Sequence, residues 1–379
     1  MPINKINNPF IVSKSIPEEL FCDRKEETDF LIKQIQNGRN TVIVSPRRMG
    51  KTGLIHHLFQ QQALGNEYNT FFIDIYSAST LQEMSYLMGK AIFEKLKTKR
   101  AQLWEVFGQS IKSLRAGLKI DGLTGEPKLE LSLGALEQPA TTLEEIFSFL
   151  ESSATPCVVA IDEFQQIAEF PEKRVEALLR GLIQNCSNTS FIFSGSKQHT
   201  VNQMFHSKAR PFYQSAQTLD LKPIALETYC DFATRLFKQY GKMVDNETVA
   251  QVYSNYSGTT WYMQMMMNEL FSITAANNNG TTEMMEQAQQ NIIQVQEGTY
   301  QMQLNMLSPK QKSLLQAIAR EGKVKSVTSG SFIKKHSLDS TSSVQSALKG
   351  LLEKEVVTHD DGFYHVSDYF FGLWIKENF

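Results

Sequence analysis

One run constrains this chain more than any other: Thr41-Val42-Ile43-Val44-Ser45-Pro46-Arg47-Arg48-Met49-Gly50-Lys51-Thr52. A β-branched stretch flows into a short loop that ends Gly-Lys-Thr and opens a helix. That is the build of a phosphate-binding loop, and each part has a physical use. Backbone N–H groups at the mouth of the helix point at the phosphates, and the helix N-terminus favours anions. Lys51 supplies a point charge for the β- and γ-phosphates, Thr52 a hydroxyl for Mg²⁺, and Gly50 room for close backbone approach. The expected ligand is therefore a nucleoside triphosphate with Mg²⁺, bound by Ser45, Pro46, Arg47, Arg48, Met49, Gly50, Lys51, Thr52 and Gly53. One departure stands at the head of the loop, where the pattern G-x-x-x-x-G-K-[ST] asks for glycine and this chain has Ser45. Pro46 pushes Ser45 into an extended conformation, which suits a strand end.

A second motif completes the first. The run Cys157-Val158-Val159-Ala160-Ile161 ends Asp162-Glu163-Phe164. An apolar strand followed by Asp-Glu is the Walker B arrangement: Asp162 would serve the metal, directly or through water, and Glu163 would act as general base toward the attacking water. Two solvated acids at a strand end are the plain alternative. Both motifs lie at carboxyl ends of apolar strands, where open α/β sheets bind ligands. A further strand, Phe191-Ile192-Phe193, ends Ser194-Gly195-Ser196-Lys197. Ser196 there suits either a γ-phosphate sensor or a helix N-cap.

Around these motifs the pattern alternates. Residues 23–37 read as a helix capped by Asp23 with Glu26 three residues on, and ended by Gly38. Strand-like runs at 70–75, 157–161, 191–194 and 219–221 are separated by helical stretches, which implies a parallel sheet covered on both faces. Alternation on both sides of a Gly/Pro turn within 118–131 reads as a β-hairpin insert. From Pro223 to about residue 300 the pattern is helical, with one loop at Asn277-Asn278-Asn279-Gly280, and the Met263–Met267 stretch reads as lid core. Three short helices after Ser308-Pro309, then Val356-Val357-Thr358, a turn at Asp360-Asp361-Gly362 and Phe363-Tyr364-His365-Val366, spell a winged helix. The apolar end, Tyr369 to Ile375, reads as a closing helix. The expected division is an α/β core over 1–225 with the insert at about 115–134, a helical lid over 226–300, and the winged helix over 301–379.

Composition narrows the remaining classes. A net charge of −2 over 379 residues makes any nucleic-acid contact a local affair. Cys22, Cys157, Cys186 and Cys230 lack metal-ligand spacing and suit a reduced, cytoplasmic setting. Residues Met1 to Phe10 lack the apolar stretch of a signal peptide, and no run approaches the roughly 20 apolar residues of a membrane helix.

Phe21-Cys22-Asp23-Arg24, the Ser-Pro-Arg-Arg-Met-Gly-Lys-Thr loop, the Asp-Glu-Phe and the Ser-Gly-Ser together resemble the archaeal ATPase family, a P-loop group of the AAA+/STAND type. With the helical lid and winged helix, the resemblance spans nearly the whole chain. It implies ATP as the nucleotide, a five-stranded sheet in the order 5-1-4-3-2, and Arg24 near the entrance to the adenine site. It also matches Arg210 to the place of an arginine finger, a forked cation for transition-state phosphate oxygens often supplied by a neighbouring subunit, so an oligomer is one implied partner. A helix-terminal charge is the plain alternative for Arg210. The activity implied is that of an ATP-binding, slowly hydrolysing switch in which ATP bridges core and lid. The rival expectation is an ATP-regulated DNA-binding protein resembling origin-recognition ATPases. On the reading helix, Ser340, Thr341, Ser343, Gln345, Ser346 and Lys349 form a weakly charged face, with Lys334 and Lys335 before it and Asp360 and Asp361 in the wing. That favours a protein partner over DNA.

Overall fold

The computed structural model describes residues 7–13, 16–65, 67–99, 103–121, 127–129, 138–360 and 362–379. The chain forms two compact units, one of Ser15–Lys222 and one that joins Met1–Lys14 to Pro223–Phe379.

The first unit carries α1 (Lys25–Gln36), β1 (Thr41–Val44), α2 (Lys51–Gln60), β2 (Asn69–Asp74), α3 (Leu81–Lys99), α4 (Leu103–Ser110), β3 (Leu118–Ile120), β4 (Pro127–Leu129), α5 (Pro139–Glu151), β5 (Cys157–Asp162), α6 (Val175–Gln184), β6 (Thr189–Gly195), α7 (Gln198–His206) and β7 (Gln217–Asp220). Five strands make one sheet in the order β2-β5-β6-β1-β7, and every pairing in it is parallel. The labels differ from the expected 5-1-4-3-2 in one detail, because the hairpin strands β3 and β4 intervene in the count. With these set aside, the order is the expected one read from the other edge.

The continuous apolar runs follow from burial on both faces. Val42, Val44, Val159, Ile161, Phe191 and Phe193 belong to one core cluster. Their alternates Ile43, Val158, Ala160 and Ile192 join Leu54, Ile55 and Leu58 of α2 in another. The central strands β1, β5 and β6 thus divide their apolar residues between two layers.

Local differences have local causes. Asp23 does not cap α1. The chain passes through the left-handed region at both Asp23 (φ 56°) and Arg24 (φ 68°), Arg24 is the N-cap residue, and no side chain caps the helix. The hairpin forms as an antiparallel pair with Leu118 opposite Leu129 and Ile120 opposite Pro127, and Leu129 is buried in the core. Residues 122–126 and 130–134 of the expected insert lie outside the described residues.

The second unit holds α8 (Leu226–Gln239), β8 (Met243–Val244), α9 (Asn246–Asn255), α10 (Thr260–Ile273), β9 (Asn279–Gly280), α11 (Thr282–Asn305), α12 (Pro309–Glu321), α13 (Gly330–Lys335), α14 (Thr341–Glu353), β10 (Val357–Asp360), β11 (Phe363–Val366) and α15 (Tyr369–Asn378). The winged helix is present as expected, with β10 and β11 antiparallel and Asp360 opposite Phe363. Asp361 lies outside the described residues. Met263, Met266 and Met267 are fully buried in the helical part. The Tyr262 hydroxyl donates to the Ser367 carbonyl at 3.2 Å and accepts from the Tyr369 N–H at 3.2 Å, tying α10 to the start of α15. A feature not anticipated is the N-terminal segment. Phe10 is fully buried against Phe237 and Phe271 at ring separations of 5.5 and 6.0 Å, the Asn8 side chain donates to the Asn268 carbonyl at 2.8 Å, and the Asn268 side chain donates to the Phe10 carbonyl at 2.6 Å. Among the described residues no helix is long and apolar enough to cross a membrane.

Candidate nucleotide site

The loop between β1 and α2 is set by its ends. Met49 is buried in the apolar cluster under α2, which pins the loop from below. Arg48 (φ 67°) and Gly50 (φ 90°) both take left-handed conformations, and Gly50 is the N-cap residue of α2. For Arg48 such a backbone costs about 1–2 kcal/mol relative to ordinary helical geometry, so the surrounding fold must hold it.

Lys51 is the first residue of α2, and only 6% exposed. Its ammonium donates to the carbonyl of Ser45 (3.2 Å), the hydroxyl of Ser45 (3.3 Å) and the carbonyl of Pro46 (3.0 Å). The residue that departs from the glycine pattern therefore has a use, since the Ser45 side chain is one of the acceptors that hold Lys51. Burial pushes the Lys51 ammonium below the usual lysine range, while Glu163 and Asp162 pull it back up. An anion placed beside it would act in the same sense as those carboxylates.

Thr52 stands next on the helix. Its hydroxyl donates to Asp162 Oδ2 at 2.6 Å, and Ser194 donates to Asp162 Oδ1 at 2.5 Å. Asp162 is 5% exposed at the end of β5, with β6 on one side and β2 on the other. Thr52 and Asp162 present hard oxygen donors side by side, the donor chemistry that Mg²⁺ takes. Asp74 is the register partner of Asp162, and burial raises its carboxyl above the usual range, with Asp162 and Glu163 adding to the rise.

Glu163 follows in a left-handed conformation, φ 56°. Its Oε2 accepts from the Ser196 hydroxyl (2.7 Å), the Ser196 N–H (3.4 Å) and Gln165 Nε2 (2.5 Å). Arg47 Nε in turn donates to the Ser196 hydroxyl at 3.2 Å. Aromatic rings pack under this turn: Phe164 lies 4.5 Å from Phe193, tilted, and 5.2 Å from Phe212, edge to face. Arg24, 4% exposed, donates to the Lys222 carbonyl (2.7 Å) and the Met49 carbonyl (3.5 Å) and pairs with Glu27 at 2.7 Å.

The structure thus brings together Ser45, Pro46, Arg47, Met49, Lys51, Thr52, Asp162, Glu163 and Ser196, and links Arg24 to the loop through Met49. Gly53 sits in the first turn of α2, where an added Cβ would meet the Phe21 ring at 3.7 Å. Arg210 makes a different contact. Its guanidinium pairs with the Glu176 carboxylate of α6, Nε donating to Oε2 at 3.0 Å and Nη2 to Oε1. Three neighbours of these residues were not singled out from the sequence: Ser194, Gln165 and Asp74. Ser194 carries a signal in hindsight, a hydroxyl at the carboxyl end of an apolar strand. Gln165 carries none, because its burial depends on the turn made by Glu163.

A parallel sheet with a Gly-Lys-Thr loop after its first strand, and an Asp-Glu pair on the strand two places away, defines a P-loop ATPase. The family model described as "ATPase domain predominantly from Archaea" matches residues 21–266, and the chain belongs to that family. Residues 298–377 match the model described as "Probable winged helix domain". A Walker-type ATPase of Pyrococcus abyssi has a similar structure, with a TM-score of 0.62 at 18% identity over 97% of this chain and 99% of that one. The Aeropyrum pernix ORC2 protein, solved as ADPNP–ADP complexes, matches with a TM-score of 0.57 at 12% identity over 98% of this chain and 96% of its own. The Aeropyrum pernix ORC1 protein, solved in complex with DNA, gives 0.56 at 12% identity over 99% and 97%. At these identities the likeness is one of fold. No curated protein matches.

Proposed function

We propose that this chain binds ATP with Mg²⁺ and hydrolyses it slowly, as a switch of the AAA+/STAND type whose nucleotide state sets the positions of the helical lid and the winged helix. The observation that carries the reading is the polar network at the strand ends: Thr52–Asp162–Ser194 beside Lys51, and Arg47–Ser196–Glu163 next to it. Polar groups bonded to one another around the buried Lys51, Asp162 and Ser194, in a family of ATPases, are what a preorganised phosphoryl-transfer site needs. Residues 45–53 would cradle the phosphates, with Lys51 on the β- and γ-oxygens. Thr52 and Asp162 would hold Mg²⁺, which when bound neutralises charge on the phosphate oxygens. Glu163 would accept the proton of the attacking water, Ser196 would sense the γ-phosphate, and Arg24 would lie toward the base. Arg210 would act as an arginine finger toward a neighbouring subunit, leaving Glu176 when it does so. The proposed setting is the cytoplasm.

For the winged helix we favour a protein partner. Its lysines are offset by acids: Lys335 pairs with Glu321 at 2.5 Å, Lys310 with Asp339 at 3.1 Å and Lys349 with Glu353 at 3.8 Å. DNA binding is the second reading, supported by the similarity to the ORC1 structure solved with DNA, which covers 99% of this chain.

The direct test is calorimetric titration of ATP into the wild type and Lys51→Ala. Removing one buried charge partner costs about 3 kcal/mol, roughly a 100-fold loss of affinity. Equal affinity in the two proteins would reject the site.

A further inference from the structure

We propose that Gln165 is a positioning residue for the Glu163 carboxylate, and that position 195 is glycine because the Gln165 amide fills the space a side chain would need. This inference rests on the reading of Glu163 as general base.

Four observations converge. Gln165 is 1% exposed, although it lies in a short 3-10 turn (Phe164–Glu169) directly after the site. Its Nε2 donates to Glu163 Oε2 at 2.5 Å. A carboxylate only accepts, so the amide must turn its nitrogen to Glu163 and its oxygen away. That oxygen has no hydrogen-bond partner among the described residues. It points toward Gly195, where an added Cβ would lie 2.1 Å from Gln165 Oε1 and 2.6 Å from Val201 Cγ2. Gly195 does not have a positive φ, so its glycine serves space and not conformation.

A buried amide that leaves its own carbonyl unpaired is poorly explained by stability, because an apolar side chain of the same size would avoid the loss. The arrangement makes sense if its product is the bond to Glu163. Glu163 needs such help. Its backbone is left-handed, a conformation that persists only where neighbours over-determine it. The Ser196 hydroxyl holds the same oxygen from the β6 side, at 2.7 Å, and also accepts from Arg47, so it belongs to the phosphate side of the network. Gln165 is the donor on the side of Glu163's own turn. With both in place the second oxygen, Oε1, is left to meet a water. Rotation of the carboxylate would misplace it, and small misplacements of a catalytic group carry large rate penalties.

The test compares full-length Gln165→Met and Gln165→Glu with wild type, each also in a Glu163→Gln background. Met keeps the volume and loses the donor; Glu keeps the shape and can only accept. Turnover, KM, affinity for a non-hydrolysable ATP analogue and melting temperature are measured. The expected result is a fall in kcat of about tenfold or more in both variants, with KM and analogue affinity within about twofold. Gln165→Met should melt at or above the wild-type temperature, since it removes the unpaired carbonyl. In the Glu163→Gln background neither change should lower the residual rate further, because the effect passes through Glu163. Gly195→Ala, which displaces the amide, should repeat the kcat loss. Wild-type turnover in Gln165→Met and Gln165→Glu, or a further loss in the Glu163→Gln background, overturns the proposal. Turnover that Glu163→Gln leaves undiminished overturns the base reading, and this proposal with it.

Discussion

The ends of β5 and β6 and the exposed face of α14 are both rich in small polar residues, yet they are built in opposite ways. At the strand ends Asp162 and Ser194 are buried and Glu163 and Ser196 half-buried, and most of their bonds run to residues far away in sequence. Ser194 reaches Asp162 across 32 positions, and Thr52 reaches the same carboxylate across 110. On α14, Thr341, Gln345, Ser346 and Lys349 are exposed, and the bonds are local. Ser340 caps its own helix through the Ser343 N–H, its hydroxyl lies 3.0 Å from that of Ser342, and Ser343 donates to Asp339. Long-range bonds in a low-dielectric setting fix groups for chemistry, whereas local bonds at a helix entry serve the helix itself. The long-range polar network lies in the first unit, whereas the polar bonds on α14 serve the entry of that helix.

That contrast can be broken most decisively at Glu163. Replacing it with Gln keeps the size and most hydrogen bonds but removes the proposed base, so hydrolysis should fall by about 10²- to 10⁴-fold while ATP still binds. A phosphate-release assay beside calorimetry reads both; a rate close to wild type would mean that the strand-end network is structural. A comparable effect is expected at Arg210, whose two-point pair with Glu176 makes it unlike the residues that meet at Lys51. If it acts from a neighbouring subunit, ATP and Mg²⁺ should raise the mass measured by light scattering in the wild type and not in Arg210→Ala, and the variant should turn over about 10³-fold more slowly. A variant that assembles and hydrolyses normally would place Arg210 with the structural ion pairs. The smallest effect is expected on the winged helix. Replacing Lys334, Lys335 and Lys349 together by Ala should change affinity for duplex DNA by less than about twofold, with no change in its salt dependence. A drop of about three in the salt slope would show three phosphate contacts and move the DNA reading ahead of the protein one.

Legibility in the sequence followed burial. The central strands β5 and β6 were readable because they are buried throughout, so Val158 to Ile161 and Phe191 to Phe193 are apolar without a break. Lys51, Thr52, Asp162 and Glu163 were readable because they stand where such runs stop. The winged helix was readable from helical spacing and the Asp-Gly turn; its entry at Ser308 even forms the reciprocal capping box with Gln311. The cap expected at Asp23 was not formed, because the chain spends Asp23 and Arg24 on a left-handed turn that delivers the Arg24 guanidinium to the Met49 and Lys222 carbonyls. No local rule anticipates a helix start chosen by a contact near 200 residues away. Phe10 escaped notice for the same reason: one aromatic residue in a polar segment has no period, and its partners come from α8 and α10.

The sequence by itself determined the parallel sheet, the phosphate loop, the Asp-Glu pair and the closing winged helix, since strand ends and helix starts are written in short-range pattern; the strand order came from the family resemblance. Only the tertiary structure decided that Ser45 in place of glycine holds Lys51, that Ser194 and Gln165 join Asp162 and Glu163, and that Arg210 pairs with Glu176. The physical reason is reach. Hydrophobic periodicity is encoded within a few turns of chain, but the partner of a buried polar group is whichever residue the folded sheet brings within about 3 Å, and sequence distance carries no record of that.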